Sequence, residues 1–163
     1  MSKEEIIGMV LEMYDARKEA KEYLEFYANP NEDGKLEEYK KIIIEEFYPA
    51  KSKREPKIRF SICRKAVSDY KKLKPSADKL ADLMLCYVEN ACQFTYDYGD
   101  MWEQYYMSVE NNFNKTMAFI AKNNKLERFK PSLKQCVEWA SPCGWGFADA
   151  IADIYYEYFP EDD

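Results

Sequence analysis

The sequence predicts an all-α protein, and three observations carry that expectation. Apolar residues recur at i, i+3, i+4 and i+7 through most of the 163 residues. Only five glycines and seven prolines interrupt them. No segment alternates apolar and polar residues between turn signals, as a half-buried strand would. The expected architecture is seven to eight helices in antiparallel pairs, forming an irregular bundle or a short solenoid-like helical array. A chain of this length makes a single domain, 1–163. It is large enough to bury roughly 70% of its unfolded surface without a disulfide or metal staple.

The elements follow in order. Ser2 and Glu5 have capping-box spacing, and Ile6, Val10 and Met13 follow with helical period. The period falters at Asp15-Ala16-Arg17 and resumes with Ala20, Leu24 and Tyr27. This reads as two short helices with a sharp bend, or as one continuous helix. Asn29-Pro30 ends the run, and residues 31–34 make a turn. Leu36, Tyr39, Ile43 and Phe47 form the next stripe, which Pro49 stops. A basic linker covers residues 50–60. Ser61 is placed to cap a helix with Ile62, Ala66, Tyr70 and Leu73 inside.

Pro75-Ser76 opens a long helix with Leu80, Leu83, Met84, Tyr87, Val88, Ala91, Phe94 and Tyr98 in register, and Gly99 ends it. Asp100 is expected to cap the following helix, which carries Trp102, Tyr105, Tyr106, Val109, Phe113, Met117 and Ile120. Each is ~30 Å long at the α-helical rise, and the short joint makes them the central antiparallel hairpin. Leu126 and Phe129 suggest one turn, after which Pro131 starts or kinks a further helix ending at Ser141-Pro142. The last helix carries Phe147, Ile151, Ile154, Tyr155 and Tyr158 on one face. The tail, 160–163, is expected to fray.

Composition narrows the chemistry. There is no histidine, which removes histidine-dependent nucleophile systems, histidine general bases and most zinc sites. The five cysteines, Cys63, Cys86, Cys92, Cys136 and Cys143, are odd in number and lack C-x-x-C spacing. They read as core residues of a cytoplasmic protein. The start of the chain lacks the apolar run of a secretory signal, and no stretch approaches a membrane span. Charge is unevenly distributed: net −6 over residues 1–50, +8 over 51–74 and −8 over 75–163.

Several motifs, read together, resemble a domain-of-unknown-function family of small bacterial proteins. They are Tyr23-Leu-Glu-Phe-Tyr27, Ile44-Glu-Glu-Phe-Tyr-Pro49, Lys65-Ala-Val-Ser-Asp-Tyr-Lys-Lys-Leu73, Leu80-Ala-Asp-Leu-Met-Leu-Cys-Tyr-Val-Glu89 and the closing Gly144-Trp-Gly-Phe through Phe159. The resemblance spans nearly the whole chain. It implies an all-helical cytoplasmic protein and lends no activity, cofactor or catalytic residue.

Three features stand out as candidate sites. Asp149, Asp153 and Glu157 share one face of the last helix, where like charges one turn apart repel. That face is a solvated surface, a dock for the basic 51–74 segment, or a divalent-metal site. Gly144 and Gly146 bracket Trp145, either to admit an anion to backbone N–H groups or, as is favoured, to allow close packing with Trp145 filling the gap. Lys51, Lys53, Arg54, Lys57 and Arg59, with Phe60 as a stacking ring, suggest nucleic acid, but the acidic surroundings disfavour it. Fourteen tyrosines are too many to bury completely, so some line a rim or groove.

The expected function is non-enzymatic: a protein-interaction or binding module, with an unknown protein partner or a second copy. Trp145, Asp149, Asp153, Glu157, Lys53, Arg54 and Arg59 are its candidate contacts. No catalytic residue, cofactor or metal ligand is assigned. The alternative is a small-ligand-binding protein or enzyme with a carboxylate and tyrosine pocket, metal-assisted or not. A convergent polar pocket with perturbed acid groups would favour the alternative, and an exposed apolar patch the interaction module.

Overall fold

The capping box at the start of the chain forms as its spacing requires. The Ser2 hydroxyl accepts from the Glu5 backbone N–H, and the Glu5 carboxylate accepts from the Ser2 N–H at 2.6 Å. The computed structural model describes residues 1–50 and 54–163. Among these it shows eight α-helices and no strand: α1 (Lys3–Ala16), α2 (Lys18–Ala28), α3 (Glu32–Phe47), α4 (Phe60–Lys72), α5 (Ala77–Tyr98), α6 (Glu103–Lys122), α7 (Leu126–Ala140) and α8 (Phe147–Tyr158). The protein is all-α.

The helices from α3 onward stack as three hairpins. α3, α5 and α7 lie side by side in one layer. α4 packs on α3 and α5, α6 on α5 and α7, and α8 on α6 and α7. This arrangement corresponds to the solenoid-like array among the expected architectures. α5 is the shared element, and its buried residues run around most of its circumference, from Leu80 to Thr95. A helix covered on several sides needs apolar residues all round, which its sequence supplies.

The chain breaks between α1 and α2 at a single residue, Arg17, which is extended (φ −131°, ψ 119°). Two short helices with a bend are therefore the outcome. α2 is anchored to the body by the buried Phe26 and by Glu22, which accepts from the Tyr39 hydroxyl of α3 at 2.7 Å. α1 packs on α2, and none of its residues is buried.

Several boundaries differ from the sequence expectation for physical reasons. α4 starts at Phe60, ahead of Ser61, with Arg59 at its N-cap. α6 begins at Glu103, with Trp102 rather than Asp100 at its N-cap. The Asp100 carboxylate has stronger partners elsewhere: it accepts from the Gly144 N–H and the Tyr106 hydroxyl, both at 2.8 Å. α7 is one helix through Pro131, whose side chain is exposed. The tail does not fray. Pro160–Asp162 form a 3-10 turn, the Tyr155 hydroxyl donates to Asp162 at 2.7 Å, and Lys130 pairs with both Glu161 and Asp162. Phe159, just before it, is buried.

Candidate interaction surface and clefts

α1 is the most exposed apolar element among the described residues. Ile6 (51%), Met9 (49%), Leu11 (57%) and Met13 (48%) are each about half exposed, as is Ile7. At 100° per residue its apolar side chains cover more than half the helix circumference, and Glu4, Glu5, Glu12 and Asp15 all fall on the remaining arc. Val10 and Tyr14 are half-covered. Tyr14 is tied to α2 by donating to Glu25 at 2.7 Å, and Lys21 lies over its ring. One part of the apolar arc thus faces α2, and the rest faces solvent.

The cleft between α2, α3 and α4, about 600 Å³, is where tyrosines and carboxylates converge: Glu22, Tyr23, Glu38, Tyr39 and Asp69 line it with Lys35 and Lys65. Its groups satisfy one another. Lys35 pairs with Glu22 and Glu38, and Lys65 with Asp69 at 2.6 Å. Burial, reinforced by the Glu22 carboxylate that accepts its proton, holds the Tyr39 hydroxyl well above the ordinary tyrosine range. A carboxylate bound by a lysine and a tyrosine held protonated make a structural network rather than a poised acid–base pair. Burial raises the carboxyls of Glu89 and Glu110, but neither lines this cleft.

A second groove, about 270 Å³, lies between α4 and α6 over α5. Val67, Met84 and Tyr87 give it an apolar floor. Arg64, Lys71 and Lys115 are its charged residues, and no carboxylate lines it. Asn112 donates to the Tyr87 hydroxyl at 3.3 Å.

The predicted site residues do not assemble. Lys51 and Lys53 lie outside the described residues. Arg54 is exposed. Arg59 turns to α3: its Nη2 donates to Glu46 Oε1 at 2.6 Å, and its backbone N–H to Glu46 Oε2 at 3.0 Å. Burial alone would raise the Glu46 carboxyl, but these hydrogen bonds and the guanidinium charge hold it below its ordinary value. Phe60 is packed against Phe47, Tyr87 and Tyr105, so it is no free stacking ring. Asp149, Asp153 and Glu157 are all exposed on α8. No described cation lies within ion-pair distance of them, and the described residues of the basic segment that form ion pairs do so on α3 and α4. Among the described residues no three Cys, Asp or Glu side chains are grouped to hold a metal ion.

Trp145 does not fill the gap between its two glycines. It is 80% exposed and left-handed (φ 59°), while Phe147, two residues on, is fully buried and stacked on Tyr106 at 4.3 Å between ring centroids. Gly146 (φ 75°) supplies the turn into α8, and Gly144 lets its backbone reach Asp100: a Cβ there would sit 3.1 Å from Oδ2. The Gly144 N–H, and then the Tyr106 hydroxyl, hold the Asp100 carboxyl below the usual range. Gly-Trp-Gly is therefore a corner that locks α8 to the α5–α6 connection, with the tryptophan turned outward.

Two sets of residues escaped the sequence reading. The signal for α1 was present: its apolar arc is too wide for one neighbour. The groove cations come from α4 and α6, and nothing in the local sequence joins Lys115 to Arg64 and Lys71.

The geometry defines an all-helical protein with an uncovered N-terminal helix. The chain belongs to a family of unknown function (DUF6155), which matches residues 1–159. Neither the curated proteins nor the solved structures provide a match. No described helix is long and apolar enough to cross a membrane.

Proposed function

We propose that the chain is a non-enzymatic protein-interaction module that docks through α1. One observation carries this: a 14-residue helix with no buried residue presents five half-exposed aliphatic side chains. A helix this short is marginal in water by itself, so its apolar arc gains most when a partner covers it. The partner is protein rather than an anionic membrane, because the polar arc carries four carboxylates and no cation. A cytoplasmic setting suits the chain: all five cysteines are free thiols, four of them buried. The test is affinity purification from the native host with the full chain and with I7E/L11E. The variant should lose associated protein that the wild type retains, and identical recoveries, with no change in self-association, would refute the reading.

A second reading rests on the α4–α6 groove. Three cations over an apolar floor with no lining carboxylate suit a small organic anion. Titration with citrate and with a phenyl phosphate should raise the melting temperature of the wild type but not of R64E/K115E. Equal shifts in both would dismiss the site.

A further inference from the structure

The groove between α4 and α6 is walled and floored by three helices, each supplying a different kind of group. On α4, Arg64, Ser68 and Lys71 are spaced i, i+4, i+7 and share one face. Their neighbours Lys65 and Lys72 lie about 100° round the helix and pair with Asp69 instead. Arg64, Lys71 and, on the opposite wall, Lys115 of α6 form no ion pair with a described residue. α5 supplies the floor, where Met84 and the buried Tyr87 are one turn apart. One polar capacity on that floor is unused. The Asn112 amide nitrogen donates to the Ser108 carbonyl at 2.7 Å and to the Tyr87 hydroxyl at 3.3 Å. The Ser108 carbonyl fixes which way the amide faces, because an amide oxygen in that place would meet another oxygen. Tyr87 therefore accepts from Asn112, and its own proton has no acceptor among the described residues. Burial holds that hydroxyl above the ordinary tyrosine range, so it remains a donor. A buried donor without an acceptor costs stability unless something entering the groove accepts from it.

Resting on the anion reading of this groove, we infer that its ligand is a phosphate monoester of a planar aromatic ring. Such a phosphate carries about two negative charges and three acceptor oxygens near pH 7. An arginine fork takes two oxygens at once, and a lysine serves as a point charge. Arg64, the Tyr87 hydroxyl and the lysines thus offer a fork, a neutral donor and further positive charge. A single carboxylate has one charge and two oxygens, too few for that set. The apolar lining, Val67 and Met84, suits the ester group, because a methionine thioether makes favourable contacts with aromatic rings. At about 270 Å³ the groove lies at the small end of ligand pockets, which limits the ligand to a compact ring and its phosphate. A free aryl phosphate and a phosphotyrosine side chain present this same chemistry.

The test is isothermal titration calorimetry on the full chain with phenyl phosphate, inorganic phosphate, benzoate and citrate. Phenyl phosphate should bind at least about tenfold more tightly than the other three, because each of those lacks the ring, the phosphate or both. R64E/K115E should abolish binding. Tyr87→Phe, which removes only the donor, should weaken phenyl phosphate roughly tenfold, as loss of a hydrogen bond to a charged group does, with the far-ultraviolet dichroism unchanged. A phosphotyrosine peptide that binds more tightly than phenyl phosphate makes a protein the source of the ligand, and one that binds more weakly makes it a free small molecule. Benzoate or citrate binding as tightly as phenyl phosphate overturns the inference and leaves a general anion groove standing. Inorganic phosphate binding as tightly overturns the aromatic ester, and undiminished binding by Tyr87→Phe overturns the role of the buried donor. Neither heat nor a melting shift with any of the four overturns the inference and the anion reading together.

Discussion

At the scale of single residues, burial separates neighbours that composition makes alike. Trp145 and Phe147 are both aromatic and two positions apart, yet one faces solvent and the other fills the space against Tyr106. Phe147→Ala should therefore cost about 3–5 kcal/mol in urea unfolding, as cavities in a rigid core do. Trp145→Ala should stay within ~0.5 kcal/mol, and Trp145→Gly should be neutral or stabilising, because its φ of 59° suits glycine. The cysteines divide in the same way. Burial pushes the thiols of Cys63 and Cys86 up to about 12, and Cys92 and Cys136 are fully enclosed. Cys143 alone is half-buried. A thiol reagent at pH 8 should label one cysteine quickly in the native chain and all five after unfolding.

At the scale of elements, ion pairs decide where the basic segment goes. Arg59 is held by the buried Glu46 of α3, so the chain entering α4 is fixed to the body and does not reach α8. With its folded value depressed, Glu46 adds stability above the ordinary carboxylate pKa that is lost as pH falls through the lower folded one. Removing the arginine inverts this: burial then raises the carboxyl, and the folded state is penalised as pH rises. Arg59→Ala should accordingly melt closest to the wild type near pH 4, with the gap widening towards pH 7. Glu46→Gln should show no such widening. A constant gap across that range would mean the pair contributes nothing specific.

At the scale of the whole molecule, the stable core and the proposed docking helix are different parts. The core runs through the stacked α3 to α8 and the anchored α2, and α1 contributes no buried side chain. Deleting residues 1–16 should leave the melting temperature within a few degrees of the full chain, since surface changes away from the core shift stability little. The same deletion should remove the host protein that the wild type retains on affinity purification. Loss of folding on deletion would show that α1 belongs to the cooperative unit instead.

Helical periodicity made the fold class legible, along with α3, α5, α6 and the break near Arg17, because helix formation is local and its apolar period is written in the chain. The capping box at Ser2 and the αL glycine at Gly99 were legible for the same reason. Partners distant in sequence were not. Asp100 has the form of an N-cap, yet its strongest donor, the Gly144 N–H, is 44 residues away. The tail at 160–163 looked loose until Lys130 and Tyr155 came within reach of it. Whether Asp149, Asp153 and Glu157 are a solvated face or a dock for the basic segment was open in the sequence; they are exposed, and Arg59 pairs with Glu46 instead. The chain's own pattern specifies that these segments are helices and most of what α3 to α8 bury, although Tyr27, Tyr98 and Trp102, in register with the stripes, are exposed. Which helix covers which is settled in three dimensions. That is because covering depends on competition among distant side chains for the same carboxylate or apolar face, and on α1 that competition left much of the apolar arc exposed.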